Sequence, residues 1–225
     1  MTELDGYLLH GFFKSGAHRV SLARSRIDGI NVFPVPDGDT GSNMAATLLN
    51  AIDAIEPGPS AADTLSALAD AALDSARGNS GVILAQFIYG LSEAVVNARV
   101  RTREFAAAAG NAYARAKASI SQPKDGTILS VINDWSASLL RKSQGIDSFD
   151  ELMHATASDL AQSLESTRDV LPEMRTAGVV DAGAAGFVEF IAGARDYLAA
   201  GAPAFQAEPG QTSPAASVHH DHDGA

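Results

Sequence analysis

Apolar residues in this chain recur at three- and four-residue intervals and almost nowhere at every second position, which confines the fold to helices that each bury one face. Leu8, Phe12, Ala17, Val20 and Leu22 put a stripe on a first helix over about residues 3–24, interrupted or bent near Gly16. A second helix opens after Gly41 with Ser42 or Asn43 as cap and carries Met44, Leu48 and Ile52 to about Ile55, where Pro57, Gly58 and Pro59 stop it. Ser60, with Asp63 three residues on, starts a third helix bearing Leu65, Leu68, Ala72 and Leu73, which Gly78 closes. The fourth begins at Asn79 or Ser80 and the fifth at Thr102, with Phe87 and Leu91 on one and Phe105 and Ala112 on the other. The sixth starts at Thr127 with Ile132, Trp135 and Leu139, and the seventh at Ser148 with Leu152, Met153 and Leu160. An eighth opens near Asp181, carries Phe187, Ile191, Ala194 and Leu198, and is stopped by Gly201 and Pro203.

Eight helices of similar length with short connections describe an all-α fold, an eight-helix up-and-down antiparallel bundle or barrel. Periodicity does not choose between bundle and barrel. At 225 residues and 46% hydrophobic, the chain supports one core, which the pattern assigns to residues 1–200. Residues 201–225 lose the period and turn rich in Pro, Ser, Gly and Ala, the composition of a disordered tail or linker. His219, His220 and His222 are metal-binding types, but in a flexible acidic tail they stay outside the expected site, and nothing makes His10 or His18 a base.

Charge and cysteine content narrow the function. A net charge of −11 leaves no basic stripe to displace the counterions of nucleic acid. With no cysteine there is neither a disulfide nor thiolate-bound zinc, as suits a cytoplasmic protein. Glu3 and Asp5 stand where a signal peptide would be basic, and no apolar run approaches the roughly 18 to 20 residues of a membrane-spanning helix, so a soluble protein is expected. An acidic protein that binds ATP needs a cation and helix N-termini to offset the phosphates.

The stretch NVFPVPDGDTGSNM, residues 31–44, supplies such groups. Pro34, Pro36, Gly38 and Gly41 keep Asp37 and Asp39 in a loop, where acids at i and i+2 can face one centre. Two loop carboxylates suit Mg²⁺, which keeps open positions for water and phosphate; Pro-Asp-Gly-Asp is equally a fluent turn. An EF-hand is excluded, because its sixth position would be Ser42 and its twelfth Leu48. Three further loops open helices with small residues. RGNSG at 77–81 frees the amides of Gly78, Asn79, Ser80 and Gly81 but lacks the Gly-Lys-Ser/Thr ending of a Walker A loop. PKDGT at 123–127 offers Gly126, Thr127 at a cap position, and Lys124 as either a phosphate countercharge or a solvated surface residue. AGVVDAGAAG at 177–186 places Asp181 and Gly183 at the last helix. The four loops precede helices two, four, six and eight, and in an up-and-down arrangement alternate loops share one end.

These four strings, NVFPVPDGDTGSNM, ARGNSGVIL, PKDGT and AGVVDAGAAG, resemble the motifs of the DhaL-like nucleotide-binding domain over nearly all of residues 4–200. That domain occurs in the ATP-binding subunit of dihydroxyacetone kinases, at the N-terminus of the bacterial fatty acid kinase A subunit, and in fusions to DegV-type lipid-binding domains; the wording of the first motif is closest to the latter two. The resemblance implies a closed eight-helix barrel with ATP or ADP at one end and one or two Mg²⁺ ions held by Asp37 and Asp39. The dihydroxyacetone kinase branch has a third Asp five residues before the first; here that position is Val32, and Asn31, one residue further back, is the polar side chain assigned to the metal. Nucleotide contacts are expected from Thr40, Gly41, Asn43 and Met44 in the first motif, Gly78 to Gly81 in the second, Gly126 and Thr127 in the third, and Asp181 and Gly183 in the fourth. Asp181 either orients the ribose or base or caps its own helix. The implied activity is a Mg-ATP-dependent kinase whose acceptor, a fatty acid carboxylate, is presented by a DegV-like protein or domain. Its alternative is a catalytically weak nucleotide sensor that regulates a partner, and a homodimer is left open.

Overall fold

In the computed structural model, which describes residues 1–202, the N-cap side chains of the α-helices starting at Gly6, Ala61 and Ala182 bond to their first turns. The Asp5 carboxylate accepts from the Leu8 amide at 3.0 Å and opens α1, Gly6–Asp28. The Ser60 hydroxyl accepts from the Asp63 amide at 3.2 Å and opens α3, Ala61–Ser75, as its spacing predicts. Between them lies α2, Thr40–Asp53. There follow α4, Gly78–Ala94; α5, Thr102–Ala118; α6, Ile128–Lys142; and α7, Phe149–Ser166. A 3-10 turn at Thr167–Asp169 leads to the short α8, Pro172–Ala177, and then to α9, Ala182–Ala199. The expected tail and its histidines lie outside the described residues.

Each long helix packs on its sequence neighbour, α7 packs on α9, and α9 returns to α1, so the eight long helices close into a ring. Closure selects the barrel over the open bundle. Its interior is filled: Phe12, Phe87, Phe105, Trp135, Phe149, Phe187 and Phe190, drawn from six helices, are all buried. They meet mostly edge to face, with Phe87 and Phe187 at 5.5 Å and Trp135 and Phe187 at 5.6 Å between ring centres.

Several details differ from the sequence reading. Gly16 does not bend α1, which runs unbroken to Asp28. Its role is close packing, since a Cβ there would lie 2.4 Å from a ring carbon of Phe190 on α9. Gly193 answers it from α9, where a Cβ would lie 2.5 Å from the Ser15 carbonyl oxygen. These two glycines let the first and last long helices approach. Gly193→Ala should therefore destabilise the protein by about 1–3 kcal/mol through overpacking against backbone, measured by urea unfolding. The pairs of Arg19 and Arg26 with Glu189 lie along the same seam but are exposed and add little.

Gly78 is the first residue of α4, not the stop of α3, and α2 starts at Thr40 rather than after Gly41. Two elements carried no periodic signal: α8, which is six residues long, and an antiparallel two-residue ribbon pairing β1, Glu3–Leu4, with β2, Val100–Arg101. The α8 boundary was nonetheless written as Pro172 at its start and Gly178, at φ 68°, after its end.

Candidate functional site

The loop between α1 and α2 is fastened by a residue that the sequence reading passed over. Asp28, the last residue of α1, accepts from the amides of Gly41 at 2.6 Å and Ser42 at 3.0 Å and from the Ser42 hydroxyl at 2.7 Å. It caps α2 from thirteen residues away, although Asp39 holds the N-cap position and makes no side-chain cap bond. A cap at that distance leaves no local sequence pattern. Held at both ends, the loop presents Asp37 and Asp39, both exposed, above the buried Asn31.

Asn31 donates from Nδ2 to Asp37 Oδ1 at 2.7 Å, and its own Oδ1 is buried and meets no hydrogen-bond donor among the described residues. A buried acceptor without a partner is costly, and its oxygen, like those of the two carboxylates in the same loop, is of the kind hard divalent cations take. Asn31, Asp37 and Asp39 therefore fit a magnesium ion. Among the described residues no three His, Cys, Asp or Glu side chains gather into a metal cluster.

The second loop meets the first. A Cβ on Gly78, whose φ is +58°, would lie 2.5 Å from Asn43 Nδ2, and the Ser80 hydroxyl donates to the Thr40 carbonyl at 3.4 Å. Thr47, also unanticipated, accepts from the Arg77 amide at 3.1 Å and sits where a Cβ on Gly81 would collide with it. The start of α4 has no side-chain cap, which leaves its first amides to an outside acceptor. In the third loop the Thr127 hydroxyl donates to the Lys124 carbonyl at 2.8 Å, and Gly126, at φ +77°, lies against Val170. Lys124 is exposed and makes no ion pair with a described residue.

Asp181 joins the third and fourth loops. Its Oδ2 accepts from the Ala184 amide at 2.7 Å, capping its own helix, and from the Ile128 amide at 2.9 Å at the start of α6. Burial drives its pKa up to about 6, against the pull of those two amides. Unfolded, it titrates near 3.8, so between about pH 4 and 6 the folded state binds more protons and stability falls as pH rises. A folded value about two pH units higher corresponds to about 3 kcal/mol, lost in full above that window. Asp181→Asn keeps an acceptor but lacks this slope; its stability relative to wild type should rise by about that amount from pH 4 to pH 7.5, as read by urea unfolding at each pH.

Together the four loops line one cavity of about 750 Å³. Asn31, Asp37, Asp39, Thr40, Asn43, Gly78, Asn79, Ser80, Lys124, Thr127, Asp181 and Gly183 all reach it. Gly41, Met44, Gly81 and Gly126 do not; they pack behind the wall, Gly41 against the Arg24 carbonyl and the Met44 sulfur against Gly186. Phe33, Val35, Ile83 and Ile120 give the cavity an apolar side, and of these Ile120 alone lies outside the four motifs.

The DAK2 domain family matches residues 34–196. The chain is 35% identical over 193 residues to protein YloV of Bacillus subtilis, covering 84% of this chain and 34% of that protein. It is 34% identical over 200 residues to an uncharacterized protein of Staphylococcus saprophyticus, covering 86% and 36%, and 32% identical over 195 residues to one of Staphylococcus aureus, covering 84% and 35%. The chain thus spans about a third of the length of these relatives. None of the helices among the described residues is long and apolar enough to cross a membrane. A ring of eight long helices, four of which open onto one cavity, and a match over most of its length establish that the chain belongs to the DAK2 (DhaL-like) family, the nucleotide-binding domain type of the dihydroxyacetone kinases.

Proposed function

We propose that the protein is the Mg-ATP-binding phosphotransfer domain of a kinase system whose acceptor is a fatty acid carboxylate, presented by a DegV-like lipid-binding protein or by a domain outside these 225 residues. The observation that carries this reading is the meeting of four helix-opening loops in one cavity with Asn31, Asp37 and Asp39 on its wall. Asp37, Asp39 and Asn31 would hold Mg²⁺, which would offset the charge of the phosphates. The uncapped start of α4, with Gly78, Asn79 and Ser80, offers backbone donors to the phosphates, and Thr127 borders them on α6. An acceptor carboxylate oxygen bonds to the γ-phosphorus, and the bond to the β,γ-bridging oxygen breaks, so that ADP leaves with that electron pair. No protein nucleophile is needed, because positioning and charge stabilisation supply most of the catalysis.

Titration calorimetry with ADP, with and without Mg²⁺, tests the reading: Mg²⁺-dependent binding is expected, and its absence sinks it. The alternative, a catalytically weak nucleotide sensor, draws support from Val32, which stands where the dihydroxyacetone kinase branch has its third Asp. Assays with ATP and a fatty-acid-loaded DegV-like protein separate the two, since the sensor binds nucleotide and transfers nothing.

A further inference from the structure

The starts of α6 and α9 stand side by side in the cavity wall, although α7 separates these helices in the ring. Helix N-termini carry like partial charges and unpaired amides, so their approach is unfavourable unless an acceptor oxygen lies between them. Asp181 lies there. One oxygen, Oδ2, takes the Ile128 amide from α6 and the Ala184 amide from α9. Its backbone amide donates to Thr167 Oγ1 at 2.9 Å, and that hydroxyl donates to the Leu164 carbonyl at 2.7 Å in the last turn of α7. Asp181 is 5% exposed and Thr167 is 2% exposed, so this chain of bonds has little water to compete with it. Gly183 is what allows such closeness: a Cβ there would be 3.2 Å from both Asp181 Oδ2 and Ile128 Cβ.

We propose that Asp181 is a positioning residue, a clasp anchored by Thr167 that fixes the spacing of Thr127 and Gly183 across the nucleotide cavity rather than a group that contacts the nucleotide. The proposal rests on the nucleotide-binding reading above and adds a residue, Thr167, that does not line the cavity. Any effect of Thr167 on the nucleotide must pass through Asp181 or the helix ends it holds.

The test is calorimetry with ADP and Mg²⁺ on the full chain, at a temperature where circular dichroism shows each variant folded, together with amide hydrogen exchange. Asp181→Ala should weaken Mg-ADP binding about tenfold or more, because a small misplacement of binding groups is costly. Asp181→Asn, whose amide oxygen still accepts, should stay within about threefold of wild type, and Thr167→Val should weaken binding several-fold without touching the cavity. Unchanged affinity in Asp181→Ala overturns the proposal in favour of a purely structural cap. Equal losses in Asp181→Asn and Asp181→Ala, with Thr167→Val unaffected, overturn it in favour of direct contact. If Asp181→Ala does not fold, Asp181→Asn and Thr167→Val decide the matter between them. If the wild type binds no Mg-ADP, the nucleotide reading fails, and the clasp is then judged by exchange alone: faster exchange at residues 128–130 and 183–185 in Thr167→Val supports it, and unchanged protection there refutes it.

Discussion

Asp37→Ala and Asp39→Ala are each expected to weaken Mg-ADP binding by on the order of 100-fold or more while leaving the fold intact. The asymmetry between function and stability follows from where these acids sit. Both are exposed in a loop secured by Asp28, and Asp37 makes a single side-chain bond, from Asn31. Removing that partner leaves the Asn31 amide short of an acceptor and should cost about 1 kcal/mol; Asp39, which makes no side-chain cap bond, should cost less. Calorimetry with and without Mg²⁺, beside thermal melts of the unliganded variants, reads both quantities. Binding that survives either substitution at full strength would remove the acids from the metal site. Without Mg²⁺ the variants should bind ADP no more weakly than the wild type, since the carboxylates then only repel the phosphates.

At the opposite end of the scale, Trp135→Ala should destabilise the protein by about 3–5 kcal/mol, lowering the melting temperature by roughly 10 °C. Trp135 is 1% exposed and touches Phe87, Phe105 and Phe187, so its removal opens a void where helices from several sides of the ring meet. Its indole N–H has no hydrogen-bond partner among the described residues, so the loss is one of packing. Trp135→Phe should therefore cost much less, about 1–2 kcal/mol, because it gives up some volume but also an unpaired buried donor. Urea unfolding of the pair measures the difference. Equal costs would mean that the N–H, and not the ring, is what the core depends on.

The sequence read the helices well because most of the information is local. Ser60 with Asp63, Asp181 before a run of small residues, and Trp135 in phase with Ile132 and Leu139 each specify structure within a few residues. It read Gly16 wrongly for the same reason. A glycine weakens an isolated helix by about 1 kcal/mol, but the local rule cannot see that Phe190, far along the chain, occupies the space a side chain would need. Gly78 likewise looks like a stop until Asn43 is found against it.

The same division runs through the candidate site. Residue types and spacing, by themselves, determined that the chain is helical, that four loops open alternate long helices, and that Asp37, Asp39, Thr127 and Asp181 stand in them. Tertiary structure alone decided that the helices close into a ring, that the four loops share one cavity, and that Asp28, Thr47 and Thr167 hold its walls. The physical reason is range. Caps and amphipathic stripes act over one or two helical turns, whereas closure and loop convergence depend on contacts between residues such as Gly16 and Phe190 or Ile128 and Asp181, whose partnership no local pattern records.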